Sequence, residues 1–146
     1  MRPNVTRLVL GGLVGTMAMT AMMYEVAPMM GLRMDIAAML GSMLGGSWTA
    51  GLAMHFVNGV LVFPLVFGYL LVSRLPGPPV LRGALWGVIL WLIAQTMVMP
   101  MMGAGLFSAA AGGMVAAVGS LVGHVLYGTI LGTVSVARAD LQLAHA

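Results

Sequence analysis

Four apolar runs, each long enough to cross a bilayer, constrain this chain more than any other feature. They extend from about Leu8 to Met30, Trp48 to Val72, Ala84 to Met102 and Met114 to Val136. A membrane-spanning helix needs about 20 such residues. Hydrocarbon offers no partner to a backbone N–H or C=O, so each run must pair its own backbone and be helical. In a chain of 146 residues, four spans leave only short connections and no separate soluble catalytic domain. Composition agrees: 61% of residues are hydrophobic, 6% are charged, and the mean hydropathy is +1.07, far outside the range of soluble domains. The expectation is an all-α, four-helix transmembrane bundle forming one domain over residues 1–146, with the lipid bilayer as its first partner.

The runs are also related to one another. Gly11, Gly15, Pro28, Met29, Met30 and Gly31 recur 72 residues later as Gly83, Gly87, Pro100, Met101, Met102 and Gly103. His55, in H-F-V-N-G, is matched at an offset of 69 by His124, in H-V-L-Y-G. A three-residue deletion in the intervening loop reconciles the two registers. The pattern reads as a tandem duplication of a two-helix unit, repeat 1 at about 1–73 and repeat 2 at about 74–146. Two units in the same orientation place matched residues about an axis along the membrane normal.

Six arginines and no lysine supply the positive charge, against three acids. Arg2 and Arg7 precede the first span, Arg74 and Arg82 flank the L-P-G-P-P turn between the second and third, and Arg138 follows the fourth. By the positive-inside rule both termini and that turn are cytoplasmic, in a bacterial inner membrane. This is a topology signal and not a nucleic-acid footprint. Arg33 stands on the other side with two longer connections. One of these carries Ile36, Met39, Leu40 and Met43 at helical spacing, so a short interfacial or re-entrant helix is expected there. The basic start of the chain is followed by too long an apolar run for a signal peptide, so the first span is read as retained. With no cysteine, disulfides, thiolate metal sites and iron–sulfur ligation are excluded.

Small-xxx-small steps at Gly11/Gly15, Gly83/Gly87, Gly119/Gly123 and Gly128/Gly132 let helix backbones approach where lipid gives no hydrophobic drive. A second role is open to Gly59 and Gly128, each four residues after a histidine and hence on its face, where they would clear room for a flat ligand. His55 and His124 lie within apolar spans, and an ionisable group at that depth is a functional candidate. As a pair they suit axial ligation of a haem b, since iron takes an imidazole from each side; alternatively they are interhelical hydrogen-bonding groups. Glu25 and Gln95 are the other polar residues to weigh inside the spans. A Glu–His pair can pass protons or hold a metal, while a carboxylate near a span end can equally reach the headgroups. Sixteen methionines are present. Their soft thioethers suit Cu(I), above all Met29, Met30, Met101 and Met102 in the doubled P-M-M-G turns, and they also serve as polarizable packing.

There is no P-loop, dinucleotide fingerprint, H-E-x-x-H or nucleophile elbow, so the chain is not expected to be an enzyme by itself. The stretches G-G-L-V-G-T-M-A-M-T in the first span, M-D-I-A-A-M-L-G after it, H-F-V-N-G in the second and G-H-V-L-Y-G-T-I-L-G in the fourth resemble an uncharacterised bacterial family of small four-helix membrane proteins. The resemblance implies the fold and carries no activity. The functional expectation is an accessory or structural subunit of a larger membrane complex, such as a respiratory-chain oxidase assembly, or of a homo-oligomer, with no cofactor of its own. The alternatives are a di-histidine haem b electron carrier and a methionine-rich copper handler.

Overall fold

The structure, a computed structural model, describes residues 3–29, 31, 32 and 34–135. Arg2, Met30, Arg33 and Arg138, which carry part of the sequence reading, lie outside the described residues. Four helices long and apolar enough to cross a membrane run over Val5–Met29, Trp48–Leu71, Pro79–Met101 and Gly113–Ser135, and the described residues contain no strand. The fold is an all-helical bundle. The Asn4 side chain caps the first helix, accepting from the Arg7 N–H at 3.1 Å. Ser47 caps the second, accepting from the Ala50 N–H at 3.2 Å. The third begins five residues before the expected Ala84, because Pro79 sits at its first position, where a missing N–H costs nothing and φ is preset. Arg82 is thereby drawn inside the helix, and its guanidinium folds back to the carbonyls of Gly77 and Val72, at 2.7 and 2.9 Å.

The first three spans are interrupted in the same way. Segments Met22–Val26, Asn58–Val62 and Ala94–Val98 are π-helical, and each ends two residues before a proline: Pro28, Pro64 and Pro100. A proline ring cannot donate and presses on the carbonyl four residues back, so the helix widens by one residue there. The N–H groups of Ala27, Phe63 and Met99 now reach the carbonyls of Met22, Asn58 and Ala94, five residues back. The fourth span has no proline and remains α-helical throughout. A further π segment, Phe67–Leu71, closes the second span. The apolar runs gave no warning of these breaks, although the prolines within them did.

Glycines set the helix order. The third and fourth spans meet backbone to backbone, such that a Cβ at Gly83 would strike the Gly128 carbonyl, one at Gly128 the Gly83 carbonyl, one at Gly87 the His124 carbonyl, and one at Gly132 the Pro79 carbonyl. Gly11 and Gly15 of the first span pack on the fourth, against Leu131 Cα (3.3 Å from a Cβ at Gly11) and the Tyr127 carbonyl (3.0 Å from one at Gly15). The first and second spans meet at Gly12 on Pro64, Gly59 on Thr16 and Gly68 on Leu8. The spatial order is therefore second, first, fourth, third. Leu8, Phe67, Trp86, Leu90, Tyr127 and Leu131 form the buried cluster. Phe63 and Trp86 bridge the second and third spans edge to face, with ring centroids 6.4 Å apart. The Trp91 indole donates to the Ala117 carbonyl at 2.8 Å, tying the third span to the fourth.

The expected short helix runs over Ile36–Ser42. It packs on the start of the second span, since a Cβ at Gly51 would strike the Ala37 carbonyl and one at Gly41 the Ser47 carbonyl. In the connection between the third and fourth spans, Phe107 and Ser108 adopt left-handed φ of 49° and 58°. Tertiary contacts hold this strain: Phe107 lies against Trp91 with centroids 5.8 Å apart, and the Ser108 hydroxyl donates to Gln95 Oε1 at 2.8 Å.

Candidate functional site

Toward the end of the bundle that carries the two longer loops, side chains do not fill the space between the four spans, and a cavity of about 850 Å³ remains. All four spans line it, and Ile36, Met39 and Leu40 of the short helix cover part of it. Its wall is almost wholly apolar. Methionines are prominent, Met19, Met22, Met23, Met99, Met102 and Met114 among them, while Trp86 and Phe63 lie at the end nearer the buried cluster.

His55 and His124 both line this cavity. The partners of each ring define its protonation. His124 Nδ1 lies 2.8 Å from the Ser120 carbonyl oxygen; a carbonyl only accepts, so Nδ1 carries the proton and Nε2 keeps its lone pair. His55 Nε2 lies 3.0 Å from Thr20 Oγ1. The Thr20 hydroxyl proton is committed to the Thr16 carbonyl at 2.7 Å, so Nε2 donates to Thr20 and the lone pair resides on Nδ1. Among the described residues neither lone pair has a hydrogen-bond partner, and neither atom is among the buried polar atoms that lack one. Each therefore opens on accessible space. Asn58, Thr16, Ser120 and Tyr127 complete the polar lining. The Tyr127 hydroxyl is spent on the Gly59 carbonyl at 2.7 Å, within the widened segment of the second span.

The other candidate residues are distributed differently. Gly59 lines the cavity, whereas Gly128 lies at the crossing of the third and fourth spans. Gly119 and Gly123 line it too, and a Cβ on either would meet only side chains, Leu32 at 3.1 Å and Met22 at 3.0 Å. Glu25 is exposed on the outside of the first span. Gln95 is fully buried outside the cavity; its Oε1 accepts from Ser108 and its Nε2 has no partner among the described residues. Met29 and Met101 point outward, 86% and 68% exposed, while Met102 lines the cavity. Among the described residues no three His, Asp or Glu side chains group as metal ligands.

Sequence reasoning passed over the residues that orient the imidazoles. Thr16 and Thr20 are one turn apart, and Ser120 is one turn before His124. Those spacings were the available signal. It also passed over Asp35, which pins the cover. The Asp35 carboxylate caps the short helix through the Ala38 N–H at 2.9 Å, and accepts from the Tyr24 hydroxyl at 2.7 Å and from the Trp48 indole at 3.1 Å to each oxygen. Burial pushes its pKa up, but the Ala38, Tyr24, Trp48 and Ala37 hydrogen bonds outweigh that and hold it below the ordinary 3.8. A lowered carboxylate pKa stabilises the fold above 3.8, and that contribution disappears as pH falls through the lower, folded-state value. Acidification below 3.8 is accordingly expected to release Trp48 and shift its emission. In Asp35→Asn the shift should already be present at neutral pH, with no acid step. An acid step that survives in Asp35→Asn would assign the titration to another group.

Four bilayer-length helices around an apolar cavity lined by two imidazoles define a multi-pass helical membrane protein. More particularly, residues 3–142 match the family described as "Family of unknown function (DUF6789)", and the chain belongs to that family. No curated protein and no solved structure matches it.

Proposed function

We propose that this protein binds a neutral, largely apolar molecule within the membrane, holding its polar end at His55, His124 and Asn58. The observation that carries this reading is the cavity itself. Its volume of about 850 Å³ lies within the roughly 300–1,000 Å³ of small-molecule sites. All four spans line this space, and it is partly open to the outside of the bundle, so apolar molecules of the bilayer have access to it. The space is therefore occupied in the membrane, by lipid chains or by a ligand. The paired imidazoles make the second the better reading, because lipid chains offer no partner to two lone pairs.

The same geometry weighs against a haem as the occupant. His124 suits an iron ligand, with Nδ1–H on a carbonyl and Nε2 free, but His55 Nε2 is engaged by Thr20. No cation among the described lining residues meets the propionates. A copper-handling role is weakened by the outward placement of Met29 and Met101. An accessory role in a larger membrane complex is compatible with ligand binding, since the chain can hold the molecule on behalf of a partner. The duplication gains support from the π segments Met22–Val26 and Ala94–Val98, which stand 72 residues apart. Arg7, Arg74 and Arg82 at one end of the bundle favour that end as cytoplasmic, in a bacterial inner membrane.

The test uses 1-bromo-4-dodecylbenzene, an apolar probe whose bromine quenches indole, added to the protein in lipid nanodiscs. Saturable quenching of Trp86 is expected with Trp48 and Trp91 replaced by phenylalanine. Filling the cavity with Ala94→Phe and Val118→Phe together should weaken it about tenfold or more. Quenching that rises linearly with probe, as in bare lipid, would dismiss the cavity as a binding site.

A further inference from the structure

Resting on that reading, we infer that the polar end of the ligand is a ring bearing two hydroxyl groups, the reduced member of a quinone and hydroquinone pair, received by His124 Nε2 and His55 Nδ1. The argument concerns donors and acceptors. Each imidazole has spent its proton on the protein, His124 on the Ser120 carbonyl and His55 on Thr20. Each therefore presents an acceptor to the cavity and no donor. Tyr127 is likewise committed, to Gly59. A buried acceptor is left costly unless something donates to it, and no described residue donates to either lone pair. The complement is a neutral molecule with two O–H donors at one end and an apolar remainder that fits among methionine side chains.

Candidates that differ in donor count or charge fit less well. A quinone carries only carbonyl oxygens at its head, which would face the two lone pairs acceptor to acceptor, leaving Asn58 as the one amide able to donate. A single alcohol or phenol satisfies one imidazole and strands the other. An anionic headgroup would need a cation, and none lines the cavity among the described residues. A metal ion fills a small fraction of about 850 Å³ and would leave the apolar wall unmatched.

The experiment is calorimetric titration of the full chain in nanodiscs with 2-decylhydroquinone, its dimethyl ether and 2-decylbenzoquinone. The dimethyl ether keeps the ring and tail and removes both donors. With two neutral hydrogen bonds at stake, the hydroquinone should bind about tenfold or more tightly than either of the others. His55→Phe and His124→Phe should each reduce that preference, and the double variant should erase it while still showing saturable quenching by the bromoalkylbenzene. That quenching confirms that the variants are folded. Equal binding of the hydroquinone and its dimethyl ether to the wild-type protein would overturn the inference. So would a preference that persists in the double variant. If the bromoalkylbenzene binds saturably and the hydroquinone is not preferred, the dihydroxy assignment falls and the cavity reading stands. If neither probe binds, the cavity reading falls and takes the assignment with it.

Discussion

Gly83→Leu is expected to leave four helices in the membrane without the bundle that joins them. A Cβ at position 83 would run into the Gly128 carbonyl and lie 2.9 Å from Gly132 Cα, so the obstruction is main chain and cannot rotate away. Overpacking of a well-fitted core costs about 1–3 kcal/mol and occasionally more, and a backbone collision belongs at the upper end. The whole third helix must shift to admit the side chain, and Gly87 on His124 and Gly132 on Pro79 lose their contact with it. A large fall in thermal midpoint is expected, together with a broadened elution profile in mild detergent. Gly119→Leu is the control, because a Cβ there meets only the end of the Leu32 side chain; its midpoint should stay close to that of the parent. A Gly83→Leu protein that melts with the parent would mean that the third and fourth spans are not in backbone contact.

Tyr127→Phe should produce the next largest loss. The ring is 3% exposed, and its hydroxyl donates to the Gly59 carbonyl at 2.7 Å across the bundle. Interhelical side-chain hydrogen bonds in membranes average about 0.6 kcal/mol and reach about 1.7. This bond lies near the top of that range, because the π segment leaves Gly59 with an acceptor that the interior would otherwise strand. A destabilisation of about 1–2 kcal/mol is expected by reversible unfolding in mixed micelles. Because Gly59 lies next to Asn58 and one turn from His55, the loss should also weaken binding in the cavity. An unchanged unfolding free energy would mean that the hydroxyl makes no such bond.

The spans were legible from hydropathy alone, to within a few residues at each end, because length and polarity are read directly from composition along the chain. The partners of the glycines were not. Each helix is apolar on every side, so no stripe marks which face meets protein and which meets lipid. Gly11 and Gly15 announced close packing without announcing that the fourth span, and not the adjacent second, would receive it. The histidines stood out by their depth, and the Ser120 carbonyl one turn before His124 could be read from spacing, whereas the bond between His55 and Thr20 crosses two helices and depends on how they are rotated against each other. The short helix was legible from Ile36, Met39, Leu40 and Met43. Its role was not, because three of these face the cavity while Met43 is exposed.

The packing of the first span on the fourth also has a consequence for biogenesis. Gly11 and Gly15 receive their partners, Leu131 and Tyr127, only after the fourth span has been synthesised and inserted. Until then the first span presents its notched face to lipid or to the insertion machinery, held to the second by Gly12, Gly59 and Gly68. The fourth helix is thus the closing piece: its arrival completes the seam with the first span, brings His124 to the space that His55 already faces, and supplies the last wall of the cavity. Truncated chains that lack it would insert and yet be open, which makes them natural substrates for membrane quality control.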